Sequence, residues 1–98
     1  MRYIIFVKGR YCPRCKFIYE KCIKPVEDMM PEKVTVIVGE DAPEWVKKYN
    51  IMTAPTVLYF NNGEEVGRTV QKHMTAQENI DWLNKLENVA QAAATAYT

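Results

Sequence analysis

Two cysteines separated by a proline and an arginine, Cys12-Pro13-Arg14-Cys15, stand shortly after the apolar run Tyr3-Ile4-Ile5-Phe6-Val7. If a helix starts between them, the two thiols lie one turn apart and can close a small-ring disulfide. Pro13 fits the first position of such a helix, where its missing N–H costs nothing. The run before it is rich in β-branched and aromatic residues and reads as a buried strand. Strand, turn at Gly9-Arg10, then a cysteine pair at a helix start: that order constrains the fold more than any other feature of the chain.

The 98 residues are expected to form one domain, residues 1–98, with the last ten, 89–98, as a fraying helical tail. Hydrophobic residues at 48% and charged residues at 26% are ordinary for a water-facing globular chain. There is no run of eighteen apolar residues to cross a membrane, and the five apolar residues after Met1-Arg2 are too few for a signal-peptide core. A cytoplasmic protein without membrane contact is therefore expected, and three cysteines, an odd and sparse set, fit a reducing compartment. A net charge of +1 argues against general nucleic-acid binding. Its distribution is uneven, because residues 1–24 carry seven basic side chains and one acid, centred on the cysteine pair. That excess reads either as solvated surface or as guidance for anionic partners.

Along the chain, Ile18, Tyr19, Cys22 and Val26 recur at helical spacing with Cys15, and Pro25 is expected to kink or end that helix. Val34 to Val38 reads as a second strand. Asp41 is placed to cap a short helix beginning near Pro43, with Trp45, Val46 and Tyr49 inward. Val57 to Phe60 reads as a third strand, and Asn61-Asn62-Gly63 predicts a tight hairpin to a fourth around Glu65–Val70. Thr75-Ala76-Gln77-Glu78 is a capping box opening a last helix with an Ile80, Leu83, Leu86 stripe. The order is β-α-β-α-β-β-α, an α/β domain.

This order, with C-P-x-C and the later Thr53-Ala54-Pro55-Thr56, resembles the thioredoxin/glutaredoxin superfamily over about residues 2–88. Tyr11 to Cys15 looks most like a glutaredoxin active site, whereas Ala54-Pro55-Thr56 and the strand and Asn-Gly turn after it look more like a thioredoxin. The resemblance implies a thioredoxin fold, with a central four-stranded mixed sheet flanked by helices. It also implies a cis Pro55 against the disulfide and a substrate-binding stretch at Thr53, Ala54 and Pro55. The chain departs from the pattern in several places. Phe6 stands where thioredoxins bury an acid, Val36 where a strand lysine accompanies it, and Tyr11 where a tryptophan precedes the first cysteine. The stretch Gly67-Arg68-Thr69-Val70-Gln71 keeps one glycine of the glutaredoxin glutathione site and lacks its paired aspartates.

The chemistry expected is thiol–disulfide exchange, which needs an exposed thiolate and a second thiol close enough to resolve the mixed disulfide. Cys12, at a helix N-terminus, is expected to be the nucleophile and Cys15 the resolving thiol. A helix N-terminus and nearby cations lower a cysteine pKa from about 8.5 to roughly 3.5–7.5. Tyr11, Pro13, Arg14 and Arg10 are the expected supporting residues. Arg14 is expected to favour the Cys12 thiolate and so make a weaker reductant than a neutral Gly-Pro centre. A zinc or iron–sulfur pair would need two further ligands, for which only Cys22 and His73 are available, so no metal is expected. Cys22 reads as a small buried core residue and His73 as a solvated loop histidine rather than a proton-transfer group.

The function expected is reduction of protein disulfides through a reversible Cys12–Cys15 disulfide, by a monomer that binds no organic cofactor. Electrons would come from NADPH through thioredoxin reductase, or from glutathione. A glutaredoxin-type, glutathione-dependent reductase is the alternative within the same chemistry. A thioredoxin-fold binding or accessory subunit is the alternative of another class.

Overall fold

The central strands of this chain are apolar on both faces, and the computed structural model, which describes residues 1–84, shows why. β1 (Arg2–Lys8) lies between β2 (Val34–Val38), which runs parallel to it, and β3 (Thr56–Asn61), which runs antiparallel. β4 (Glu64–Thr69) extends the sheet beyond β3, giving the order β2-β1-β3-β4. Phe6 is opposite Val36 on one side and Val57 on the other. Strands covered on both faces need continuous rather than alternating apolar sequence. The uncovered edge strand β4 is mostly exposed along its length.

Alternation of side chains along β1 and β3 divides the core in two. Ile4, Phe6, Val57 and Tyr59 point to one face, where Cys15, Ile23, Val26 and Leu83 complete a buried cluster. Ile5, Val7, Leu58 and Phe60 point to the other, covered by Tyr3, Ile37, Trp45, Tyr49 and Ile51. Each such side chain taken fully out of water contributes about 1.5–3 kcal/mol of favourable transfer free energy.

The first face is covered by one irregular helix and by residues 76–84. The irregular helix consists of α1 (Pro13–Ile18), a wide π-helical turn (Tyr19–Ile23) and α2 (Lys24–Met29). The α-helix is interrupted ahead of Pro25, as expected, and the interruption takes the form of this wide turn. The chain widens one turn ahead of the proline, with the Lys24 N–H bonded to the Tyr19 carbonyl, so that Pro25 falls in the first turn of α2, where its absent N–H is not needed. The extra residue also changes which side chains face inward. Ile23, not read as core from the spacing, is 1% exposed, while Ile18, Tyr19 and Cys22 are only partly buried.

On the second face lies α3 (Pro43–Lys48), with the Trp45 and Tyr49 rings in contact at 4.5 Å between centroids and tilted by 39°. Asp41 does not cap it. Asp41 ends a short 3-10 turn and bonds the Arg10 guanidinium, which leaves Ala42 at the cap position without a side-chain bond. The hairpin forms as expected, with Asn62 and Gly63 both at positive φ, +55° and +86°. The capping box is also present. Thr75 Oγ1 accepts from the Glu78 N–H at 3.1 Å, and Glu78 Oε1 accepts from the Thr75 N–H at 2.9 Å. Leu86 and the tail 89–98 lie outside the described residues.

Candidate functional site

Cys12 ends the loop after β1 and caps α1 with its sulfur: its backbone is extended, and Sγ accepts the Cys15 N–H at 3.1 Å. Pro13 occupies the first turn as expected. Cys12 and Cys15 are joined as a disulfide, with Cα atoms 5.2 Å apart. The two sulfurs differ in access. Cys15 is 1% exposed and belongs to the core cluster, whereas Cys12 is half-buried at the surface. One sulfur can be reached by a protein substrate and the other cannot.

The Ala54–Pro55 peptide bond is cis, as the resemblance implied. Pro55 is buried, and Ala54 packs with Cys12 against the cluster that contains Cys15. Thr53 is exposed, and its carbonyl accepts the Thr56 hydroxyl at 2.7 Å, which closes the turn into β3. Tyr11, at 92% exposure, and Met52, at 84%, are large apolar side chains held out in solvent on these two loops.

The cations gathered near the cysteines in sequence go separate ways in space. The Arg10 guanidinium bonds Asp41, and the Arg10 N–H bonds the Glu40 carboxylate at 3.1–3.2 Å. Those backbone donors, from Glu40 itself and from Arg10, hold the Glu40 carboxyl below its usual range. Arg14 reaches across to the loop after β4 and donates to the Gln71 carbonyl at 2.9 Å. Arg2 is buried with its guanidinium 4.3 Å from the Trp82 ring centre. Lys24 pairs with Asp28 one turn on.

A cleft of about 890 Å³ opens beside the disulfide, lined by both cysteines and by Lys8, Lys16, Tyr19 and Glu27 among others. Tyr19 and Glu27 were not read from the sequence as site residues. The Tyr19 hydroxyl donates to Glu27 Oε1. That bond, then burial and the charges of Glu27 and Asp28, pushes the Tyr19 hydroxyl up to about 12. Two turns of an α-helix span about seven residues, and the wide turn inserts one, so residues eight apart come to share a face. Pro25 within a helical pattern was the signal that could have found this pair.

His73 also differs from its expected solvated state. Its Nδ1 lies 3.1 Å from the Thr69 hydroxyl, and its Nε2 is buried with no hydrogen-bond partner among the described residues. Burial, then the nearby Arg14 charge, lowers its pKa, so that the ring is held neutral. Cys22 is a free thiol, half-buried against the core, and burial followed by the Glu78 charge pushes its pKa up. Among the described residues no cluster of three or more His, Cys, Asp or Glu side chains is placed to hold a metal ion. No described helix is long and apolar enough to cross a membrane.

Comparison with known proteins places this geometry among relatives. No family model matches the chain. A thioredoxin of Rickettsia bellii is 33% identical over 81 residues, covering 78% of this chain and 72% of that protein. Among solved structures, thioredoxin 1 of the thermophilic eubacterium Thermosipho africanus superposes with a TM-score of 0.71 at 19% identity, covering 91% of this chain and 98% of that one. Mitochondrial thioredoxin 3 of Saccharomyces cerevisiae, in its oxidized form, gives 0.66 at 15% identity, over 87% and 78% of the two chains. At such identities the structural likeness establishes the thioredoxin fold, and the Rickettsia relative carries the closer kinship.

Proposed function

The chain belongs to the thioredoxin family and is a dithiol–disulfide oxidoreductase, in which we propose that Cys12 is the attacking thiolate and Cys15 the resolving thiol. The observation that carries this division is the asymmetry of the pair: Cys12 is half-buried at the surface with a backbone N–H on its sulfur, and Cys15 is 1% exposed. A donor aimed at Sγ stabilises the thiolate over the thiol. In the reducing half-reaction the Cys12 thiolate attacks one sulfur of a substrate disulfide and expels the other as a thiolate. The Cys15 thiolate then attacks Cys12 Sγ, the Cys12–substrate bond breaks, and the second substrate thiol leaves. The substrate gains two electrons and the Cys12–Cys15 pair loses them.

Thr53, Ala54 and Pro55, beside the pair, are the stretch against which an extended substrate chain would lie, with Tyr11 at its margin. The substrates are protein disulfides, as the family indicates, and a reductase returns the bridge to the dithiol. We assign that role to thioredoxin reductase drawing on NADPH, and read the protein as a monomer in the cytoplasm, where the bridge can be kept reduced. Arg10 and Arg14 act in this reading by fixing the loops around the pair, since one guanidinium is bonded to Asp41 and the other to the Gln71 carbonyl. The glutathione-dependent alternative gains no support from the stretch Gly67–Gln71. There Arg68 is bonded to Glu65 at 2.6–2.7 Å and to the Tyr49 carbonyl at 2.9 Å, and no paired acids follow.

The test is a pair of substitutions with protein disulfides as substrate. Cys12→Ser abolishes reduction, and Cys15→Ser accumulates a covalent mixed disulfide visible by intact mass. Turnover by Cys15→Ser at the wild-type rate would overturn the resolving assignment. Titration in glutathione buffers separates the reductants. A potential near about −270 mV without a lasting glutathione adduct supports the thioredoxin type, and one around −200 to −230 mV with an adduct would move the assignment to glutathione.

A further inference from the structure

Resolution of the mixed disulfide requires Cys15 to lose its proton, yet Cys15 is 1% exposed and β1 carries no acid, packing Ile4 and Phe6 into the Cys15 cluster. Phe6 is fully buried in the same cluster, and its ring centre lies 5.9 Å from that of Tyr19. The proton therefore needs another route. The cleft of about 890 Å³ touches both cysteines and is far larger than one water molecule requires. On its wall the Tyr19 hydroxyl donates to Glu27, which leaves the hydroxyl oxygen free to accept.

Resting on the oxidoreductase assignment above, we propose that the Tyr19–Glu27 pair is the proton relay for Cys15, replacing an acid on β1 with one delivered by the π turn. The Cys15 proton passes through cleft water to the Tyr19 hydroxyl as that hydroxyl gives its own proton to the Glu27 carboxylate. The thiolate so formed attacks Cys12 Sγ, and the Cys12–substrate S–S bond breaks with its electron pair on the departing sulfur. That sulfur takes up a proton from the cleft, and Glu27 returns its proton to solvent. In this relay both residues act through cleft water and through the hydrogen bond between them. Lys8 from β1, Arg10 from the loop, Lys16 from α1 and Glu20 from the π turn also line this cleft, and Asp28 acts on Tyr19 from behind. The raised Tyr19 pKa keeps the hydroxyl protonated, as a relay between an acceptor and a donor must be.

The experiment follows release of chromophore from an aryl disulfide by the reduced protein under single-turnover conditions. The first phase reports attack by Cys12 and the second reports resolution by Cys15. Glu27→Gln keeps the size of the side chain, and Tyr19→Phe keeps the ring against Phe6. Both are expected to leave the first phase intact and to slow the second by about 10²-fold at neutral pH, with the deficit closing as rising pH ionises Cys15 unaided. Glu44→Gln, exposed in α3 on the other face of the sheet, is expected to behave as wild type. A wild-type second phase in both relay variants would overturn the proposal. So would an equal loss in both phases, which marks mere structural damage, or the same second-phase loss in Glu44→Gln. Absence of any chromophore release from the wild-type dithiol would instead overturn the oxidoreductase assignment itself.

Discussion

Asn79 is 1% exposed and joins three parts of the fold, so its removal has a calculable cost. Its Oδ1 accepts the buried Tyr59 hydroxyl at 2.6 Å, and its Nδ2 donates to the Cys22 carbonyl at 3.1 Å and to the Met74 carbonyl at 3.5 Å. Replacing it by alanine takes away the acceptor of a buried hydroxyl, which keeps Thr69 beside it, at about 1–3 kcal/mol, and removes one good bond to the π turn, at about 0.5–1.5 kcal/mol. The Met74 contact, at the limit of hydrogen-bond length, adds little. Alanine recovers roughly 0.6 kcal/mol as the better helix former within residues 76–84. Asn79→Ala should thus destabilise by about 2–3 kcal/mol net. For a domain this small that is a fall in Tm of roughly 8–24 °C. Urea denaturation of the reduced protein gives the value directly, provided the slope against denaturant is unchanged. The decisive quantity is the coupling. Tyr59→Phe alone should cost about 1–2 kcal/mol, because it strands the Asn79 oxygen, but close to nothing once Asn79 is already alanine. Additive losses, with a coupling below about 0.5 kcal/mol, would refute the assignment of this bond as the strut between β3 and the last helix.

Tyr59 supplies a second measurement. Burial raises it to about 12 against 10 when unfolded, so its contribution is complete below pH 10 and is lost as pH climbs through 12. The loss amounts to about 2–3 kcal/mol, and Tyr59→Phe should remove that part of the alkaline slope of stability. His73 titrates in the opposite sense. Its lowered pKa stabilises the fold above its unfolded value and is lost as pH falls below that value, and Arg14→Met should raise the His73 pKa by removing a neighbouring charge. An NMR titration of the single histidine reads this, and an unmoved pKa would contradict the placement of Arg14 beside it. Gly63 has φ +86° with open space around its Cα, so Gly63→Ala should cost about 1 kcal/mol through backbone strain alone, measured as a shift in denaturation midpoint.

The parts of this protein legible in its residues are those set by neighbours in the chain. β-branched and aromatic runs marked the first three strands to within about one residue at each end, because strand preference and burial act on the same few side chains. Asn62-Gly63 specified the hairpin through the only backbone conformations that match the twist of the strands. Thr75 and Glu78 specified a helix start because both partners of the capping bonds lie within four residues. Cys12 and Cys15 announced the chemistry for the same reason, since a pair three apart at a helix start can meet without help from the rest of the fold.

What tertiary structure alone decided are the partners of long or polar side chains. Arg10 and Arg14, counted together from their positions beside Cys12, took partners 31 and 57 residues away, because a guanidinium on a flexible stem goes to whichever acceptor the fold brings within reach. Asp41 gave up a helix cap for the Arg10 charge. Asn79, polar and central in an amphipathic helix, became a buried strut only because Tyr59 and the Cys22 carbonyl lay across from it. The Tyr19–Glu27 pair needed one extra residue in a turn, a shift of about 100° that no seven-residue periodicity reports. Backbone conformation is chosen over a few neighbouring residues and shows in their types; the environment of a side chain is chosen by elements that meet from opposite ends of the chain.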